Sequence, residues 1–176
     1  AHKNSGATID GFYSSGNGTG ICDTGNSHTV YNNVVIENIR GVDLYFLQEL
    51  KGKAYHKMSN TLVKANGSKQ FMVITNLPGA SQQAVFDNLI FIGKKSGDSF
   101  VRLYGNADVE IVNSAVLNMD WVAYMNRLSI TNSLLTDRKN GINCKKGAIL
   151  KTANDIFGLR YIRFDKTYYS GLTPAN

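Results

Sequence analysis

Apolar residues along this chain come in short runs of four to six, separated by clusters of Gly, Asn, Asp and Ser. Helical periodicity is hard to find, so the pattern predicts many short strands joined by turns. One stretch repeats closely: VEIVNSAV at residues 109–116 returns nineteen residues later as LSITNSLL at 128–135. A near-copy at so short a period indicates a repeat architecture.

The kernel of this repeat is an aliphatic residue or Phe, any residue, Asn or Gly, and then usually an apolar residue. Copies occur at residues 9–12, 36–39, 86–89, 111–114 and 130–133, and a weaker copy lies at 74–77. Spacings of 19–27 residues suit a coil of three short strands whose rungs stack about 4.8 Å apart. Asn tolerates left-handed turn geometry and can bond the Asn of the next rung. The sequence therefore predicts a ladder of Asn38, Asn88, Asn113 and Asn132, with Gly11 filling the same turn position.

Residues 107–114, their copy at 127–133, and residues 8–12 resemble rungs of right-handed parallel β-helices of the pectin-lyase-like superfamily. The irregular rung length and the loops rich in Asn, Gly and Tyr are most similar in style to bacteriophage tailspikes. The resemblance covers roughly residues 7–157 and carries no catalytic motif. It implies an all-β, right-handed parallel β-helix of about six or seven rungs, with residues 1–157 as its body.

Residues 159–169 alternate apolar and polar side chains as a half-buried strand does. The last rung of a β-helix has an open edge that must be covered. Residues 158–176 are therefore predicted to be a C-terminal capping or oligomerisation segment. The resemblance to tailspikes makes a homotrimer the expected assembly.

Composition fits an ordered body, because 43% of the 176 residues are hydrophobic and only 18% are charged. Seventeen glycines against two prolines indicate frequent tight turns. A net charge of +6 suits an acidic partner, although it also suits solubility alone. No apolar run reaches the length of a membrane span, and the opening residues lack the features of a signal peptide. The repeat begins almost at once, so we expect a fragment or processed product of a longer protein.

Three acids occupy the position just before the turn residue: Asp10, Glu37 and Asp87. On adjacent rungs Asp10 and Glu37 would lie roughly 5 Å apart, the spacing of a retaining glycosidase, and one more rung would approach the inverting spacing. The alternative is an acidic, solvated sheet surface. These three are the predicted catalytic residues, and Asp23 and Glu49 are further acids that could complete a pair.

No metal or cofactor is predicted. His2, His28 and His56 lack metal-ligand spacing and are interpreted as surface or turn residues. Cys22 and Cys144 have no zinc or redox spacing, which favours free buried thiols. The GNGTG loop at residues 16–20 has no following helix pattern and no Lys-Ser/Thr, so it is interpreted as a turn between strands.

Basic residues cluster at 51–57, at 94–95 and at 139–151, with aromatic residues between them: Tyr45, Phe46, Tyr55, Phe91, Tyr104, Trp121 and Tyr124. Such residues could line a groove for an anionic glycan. Nucleic-acid binding would use the same groups but is less favoured. The alternative is that Trp121 and several Tyr stack inside the coil.

The resemblance therefore implies a tailspike-like domain, on a phage virion or otherwise extracellular, that binds a bacterial surface polysaccharide and in a catalytic version hydrolyses it. Hydrolysis is preferred to lyase chemistry because no Arg or calcium-binding carboxylate cluster is recognisable. The alternatives are a non-catalytic trimerisation segment of a longer spike or adhesin, and a monomeric pectinase-like lyase.

Overall fold

The structure is a computed structural model that describes most of the body and parts of the tail. The described residues are 7–16, 18–23, 29–38, 40–46, 54–65, 72–76, 82–93, 100–104, 107–124, 127–137, 141–144, 149–159, 162–164 and 173–175. They contain strands and turns and no helix. The strands in chain order are β1 (Ala7–Asp10), β2 (Tyr13–Ser15), β3 (Thr19–Asp23), β4 (Thr29–Asn32), β5 (Val35–Asn38), β6 (Arg40–Phe46), β7 (Ala54–Ala65), β8 (Met72–Asn76), β9 (Gln82–Ile92), β10 (Phe100–Tyr104), β11 (Ala107–Val112), β12 (Ala115–Leu117), β13 (Asp120–Tyr124), β14 (Arg127–Thr131), β15 (Leu134–Thr136), β16 (Ile142–Cys144), β17 (Ile149–Ala153), β18 (Ile156–Gly158), β19 (Ile162–Phe164) and β20 (Thr173–Ala175).

Every strand pair in the described part of the chain is parallel. The first row runs β1-β4-β7-β9-β11-β14-β17-β20, and the third row is a seven-stranded sheet of order β19-β16-β13-β10-β8-β6-β3. The second row comprises β2, β5, β12, β15, β18 and the C-terminal halves of the long strands β7 and β9. Three rows of parallel strands wound around one core form a parallel β-helix, which confirms the predicted all-β parallel class.

The core lies inside the coil, because alternate side chains of each strand point inward. Val109 and Ile111 stack in register on Leu128 and Ile130, and all four are buried. Phe86 and Phe91 lie on either side of the bend in β9, and their rings meet edge to face with centroids 6.2 Å apart. The repeated aliphatic positions of the kernel are therefore the core positions of successive strands.

The turn between the first and second rows has a left-handed residue at every level from Gly11 to Asn154. Six asparagines in this column have φ between 50° and 57°: Asn33, Asn60, Asn88, Asn113, Asn132 and Asn154. Gly11 has φ of 74° and fills the same position, as predicted. Asn is the non-glycine residue that best tolerates this geometry.

Two copies of the predicted kernel were wrong. The described residues 36–38 of one copy lie in β5 of the second row, and the turn residue at that level is Asn33. The described residues 74–76 of the other copy end β8 in the third row, and the turn residue at that level is Asn60. Both errors have one physical cause, since the pattern x-Asn-apolar also occurs within or at the end of ordinary strands. Asn38 is therefore not a turn residue of this column, whereas Asn33, Asn60 and Asn154 are.

The tail adds two short strands to the coil. β19 pairs with β16 in the third row, and β20 pairs with β17 in the first row. Much of the strand expected at residues 159–169 lies outside the described residues. The domain boundary at 157/158 and the capping role of the tail stay predictions.

The two cysteines differ from each other. Neither is in a disulfide, but of the two thiols predicted to be buried only Cys144 is buried, whereas Cys22 is exposed. Burial raises the pKa of the Cys144 thiol to about 12. Cys144 is therefore an inert core residue.

Candidate functional site

The structure separates the three acids predicted to be catalytic. Asp10 ends β1 and Asp87 lies in β9, in one outward column, with Asn32 and Ser59 between them in register. Three strand spacings place Asp10 and Asp87 roughly 14 Å apart. Glu37 lies in β5 of the second row, in register with Ser15 and Lys64. The expected stacking of Asp10 on Glu37 was wrong, because it rested on the misaligned kernel copy.

Asp10 and Asp87 act as acceptors in the asparagine ladder. Asp10 Oδ1 accepts hydrogen bonds from the side chains of Asn33 at 2.8 Å and Asn32 at 3.2 Å. Asp87 Oδ1 accepts one from Asn113 at 3.0 Å. These contacts give both acids a structural role, because each carboxylate stabilises the column of turn asparagines. Their catalytic role stays a prediction.

Glu37 is held by two neighbours on the second row. Its Oε1 lies 2.7 Å from Lys64 Nζ, and its Oε2 accepts a bond of 3.3 Å from the Tyr13 hydroxyl. The hydrogen bond and charge of Lys64 hold the pKa of Glu37 below its usual range. Glu37 is thus a carboxylate at neutral pH, whereas a general acid needs a raised pKa.

Asp23, proposed as an acid to complete a pair, is completely buried. Its Oδ2 accepts a hydrogen bond of 2.7 Å from the Tyr31 hydroxyl, and His56 Nδ1 lies 3.4 Å from the same oxygen. Burial, followed by the bond to Asp23, raises the pKa of Tyr31 far above its ordinary value. The interpretation of His56 as a surface or turn residue was wrong, since it is 1% exposed. This cluster is a polar part of the core that no sequence pattern predicted.

A shallow groove runs along the coil axis beside the asparagine column. Its main part has a volume of about 470 Å³, and a contiguous part of about 210 Å³ shares Asn88 and Ile90 with it. We call it the axial groove, and five turn asparagines form one wall: Asn60, Asn88, Asn113, Asn132 and Asn154. The opposite wall is aliphatic and consists of Leu62, Ile90, Ala115, Leu134 and Ile156. No charged side chain is among the described residues that line it.

The turn itself shapes the groove. From Asn33 to Asn132 the residue after each left-handed one in this column is buried, and the residue after that starts the second row on its outer side. Ser114 and Ser133 are such inward residues, and both are buried. Ser133 Oγ accepts a bond of 3.1 Å from the Ser114 amide, and Ser114 Oγ accepts one of 3.1 Å from the Leu89 amide. These hydroxyls tie neighbouring turns together and form the groove floor.

The amide wall retains hydrogen-bonding capacity. Asn132 donates to Asn113 Oδ1 at 3.3 Å and accepts from Asn154 at 3.1 Å, and Asn88 donates to Asn60 Oδ1 at 2.7 Å. A carboxamide offers two N–H donors and two acceptor lone pairs. Asn132 therefore keeps one N–H and one lone pair that the ladder does not use. The turn asparagines recur at the strand spacing, about every 4.8 Å.

The aliphatic wall is exposed. Ile156 is 69% exposed, Ile90 46% and Leu134 36%. All three stand in one column of the second row, in register with Ala115. Exposed apolar side chains that are contiguous in this way form a candidate binding surface.

The structure describes only part of the basic and aromatic set predicted to line a glycan groove, so that groove stays a prediction. Phe91 and Trp121 are fully buried, which bears out the internal alternative for Trp121. His56 is buried too, while Lys57 is half-buried and Lys151 is exposed. The other aromatic side chains of that set, and the lysines at 51–53, 94–95, 139 and 145–146, lie outside the side chains that the structure describes.

The described residues lack both a metal-binding group and a membrane-spanning helix. They include no group of three or more His, Cys, Asp or Glu side chains placed to hold a metal ion. They also include no helix long and apolar enough to cross a membrane.

No protein-family model matches the chain, and neither a curated protein nor a solved structure is similar to it. The groove and its neighbours must therefore be interpreted from their own chemistry.

Sequence reasoning missed the axial groove because it followed only the residue before each Asn. The useful signal lies two residues after it, where Ile90, Ala115, Leu134 and Ile156 recur as apolar residues facing out of the coil. Recognising these residues as exposed required the direction of the turn.

Proposed function

We propose that this chain binds an extended polysaccharide in the axial groove. The observation that carries the proposal is that two walls of different chemistry run side by side. The amide wall keeps donors and acceptors that the ladder does not use, and the aliphatic wall beside it is exposed. A sugar ring presents hydroxyls at its edge and C–H groups on its face. The amides suit the hydroxyls, and the aliphatic side chains suit the C–H face.

The dimensions support a polymer rather than a single sugar. Five turn asparagines from Asn60 to Asn154 span four strand spacings, roughly 19 Å. The groove is shallow, so affinity would accumulate over several weak contacts along the strand axis. The absence of charged lining among the described residues favours uncharged sugar units at this site.

Finer parts of the proposal come from the sequence resemblance to tailspike-like β-helices of the pectin-lyase-like superfamily. They are a bacterial surface polysaccharide as ligand, a homotrimeric assembly, and a place on a phage virion or elsewhere outside the cell. Hydrolysis by Asp10, Glu37 and Asp87 stays a prediction, since their separation supports binding better than paired-carboxylate catalysis.

One observation favours the non-catalytic alternative, a trimerising segment of a longer spike. The exposed column of Ile90, Leu134 and Ile156 could pack against another subunit as well as against sugar. In that case the groove is an assembly surface, and its substitution would change the mass of the protein in solution.

Leu134→Asp is expected to weaken polysaccharide binding at least tenfold, because a carboxylate in the aliphatic wall must stay hydrated and cannot contact a C–H face. The measurement is affinity electrophoresis against purified capsule and O-antigen polysaccharides, with light scattering on the same samples. Ile149→Asp is the matched control, since Ile149 is 39% exposed and Leu134 36%, but Ile149 stands outside the groove in the first row.

Loss of binding in Leu134→Asp alone, at unchanged mass, supports the groove. Equal binding by both variants, or no retardation of the unaltered protein by any polysaccharide, contradicts it. A fall in mass in Leu134→Asp without any polysaccharide binding by the unaltered protein supports the assembly alternative.

A further inference from the structure

A second concavity lies on the first row, away from the axial groove. It has a volume of about 190 Å³ and is lined by polar and charged side chains: Gln83, Asp108, Glu110, Arg127, Ser129 and Lys151. We call it the charged pocket. Nothing in the proposed polysaccharide binding uses it.

Strand register separates the charges of this pocket by sign. Asp108 and Glu110 are alternate residues of β11, so both point outward, roughly 7 Å apart along the strand. Arg127 of β14 is in register with Asp108, and Lys151 of β17 is in register with Ser129 and Glu110. Negative charge therefore lies on one strand, and positive charge lies one and two strand spacings further along the axis.

These opposite charges do not neutralise one another through contacts. Among the described residues, none of the four charged side chains forms a hydrogen bond or an ion pair within 4.0 Å, although Asp108 and Arg127 are direct cross-strand neighbours. The pocket carries no net charge, but it has a strong dipole along the coil axis. Its donors and acceptors remain available to a ligand.

We infer that the charged pocket binds a small zwitterion, a molecule with an ammonium group at one end and a carboxylate or phosphate at the other. The ammonium group lies between Asp108 and Glu110 and donates to both. The anionic group meets the planar fork of Arg127, which matches carboxylate and phosphate oxygens, and the ammonium of Lys151. A purely anionic ligand would leave the two carboxylates without a cationic partner. A purely cationic ligand would leave Arg127 and Lys151 without an anionic partner.

Charges one to two strand spacings apart, roughly 5–10 Å, require a ligand whose charged groups are separated by several bonds. Two sources share this chemistry: a free amino acid with a distant amine, and an amino sugar that carries a phosphate. γ-Aminobutyrate represents the first and glucosamine 6-phosphate the second. Butyrate, propylamine and glucose 6-phosphate are matched probes that lack one of the two charges.

The test is a titration of the ¹⁵N-labelled full chain, followed by the backbone amide signals of residues 108–110, 127–129 and 151. One or both zwitterions are expected to shift these signals with a dissociation constant at least tenfold lower than that of the singly charged probes. Adding 0.5 M salt should raise that dissociation constant. The better of the two identifies the source. Arg127→Gln and Glu110→Gln should each weaken binding at least tenfold.

Lys57→Gln is the control variant, because Lys57 stands in the same outward column as Lys151 but outside the pocket. It should bind as the unaltered chain does, and all three variants should keep the unaltered circular dichroism spectrum. Equal shifts from zwitterions and singly charged probes, or no shift from either zwitterion, overturn the inference. Equal loss of binding in Lys57→Gln also overturns it, because the site would then be a diffuse charged surface. The inference does not rest on the proposed polysaccharide binding, and the titration contains no polysaccharide.

Discussion

Replacing Asp23 with alanine is expected to lower the free energy of unfolding by about 3 kcal/mol or more, because it removes a buried acceptor and leaves buried polar groups unsatisfied. Asp23 has no exposed surface, and its carboxylate is the acceptor for the buried Tyr31 hydroxyl at 2.7 Å. The alanine variant leaves that hydroxyl without its acceptor and removes the carboxylate beside His56. Urea unfolding followed by circular dichroism measures the change.

Two variants make the Asp23 result specific. Tyr31→Phe removes only the donor and should cost about 1.5–3 kcal/mol, the range for a hydrogen bond to a charged group. Asp108→Ala applies the same substitution to a half-exposed acid and should stay within about 0.5 kcal/mol of the unaltered chain. If Asp23→Ala unfolds like Asp108→Ala, the buried cluster does not hold the first coils together.

Replacing Asn132 with alanine is expected to cost about 2–4 kcal/mol, and replacing it with glycine only about 1–2 kcal/mol. Asn132 has φ of 51° and bonds Asn113 on one side and Asn154 on the other. Alanine loses both bonds and must also adopt left-handed backbone geometry. Glycine loses the same bonds but adopts that geometry freely, so the difference isolates the backbone cost.

Urea unfolding of both Asn132 variants separates the backbone cost from the loss of the amide hydrogen bonds. Alanine must be the more destabilising of the two, by about 1 kcal/mol or more. Glycine destabilising the chain as much as alanine would mean that the amide bonds alone matter. Neither variant having an effect would contradict the ladder as a stabilising element.

The fold could be predicted because its signal is local and repeated. At 109–116 and 128–135 the inward aliphatic, the turn Asn and the buried Ser recur at fixed spacing, and the structure places them in register. The register of the N-terminal part could not be predicted in the same way. Asn33 and Asn38 both follow a polar residue and precede an apolar one, and only the strand pairing and backbone geometry show that Asn33 is the turn residue.

The candidate sites were harder to predict for a different reason. The position before a turn residue gives the direction of a side chain only once the turn itself has been located. Glu37 was therefore assigned to the column of Asp10, although it pairs with Lys64 on another row. The burial of Asp23 depends on partners from β4 and β7 that lie eight and thirty-three residues away along the chain. The axial groove likewise exists only where two columns of the assembled coil lie side by side.

Contact between the asparagine wall and polysaccharide is tested most directly by the side-chain amide signals of that wall. The ¹⁵N-labelled chain is titrated with oligosaccharide fragments of whichever capsule or O-antigen retards it in affinity electrophoresis. The side-chain NH₂ signals of Asn88, Asn113, Asn132 and Asn154 should shift together. Asn118, which has φ of 56° at another turn and does not line the groove, should stay unchanged. Unchanged groove amides, or shifts confined to residues of the first row, would contradict the account.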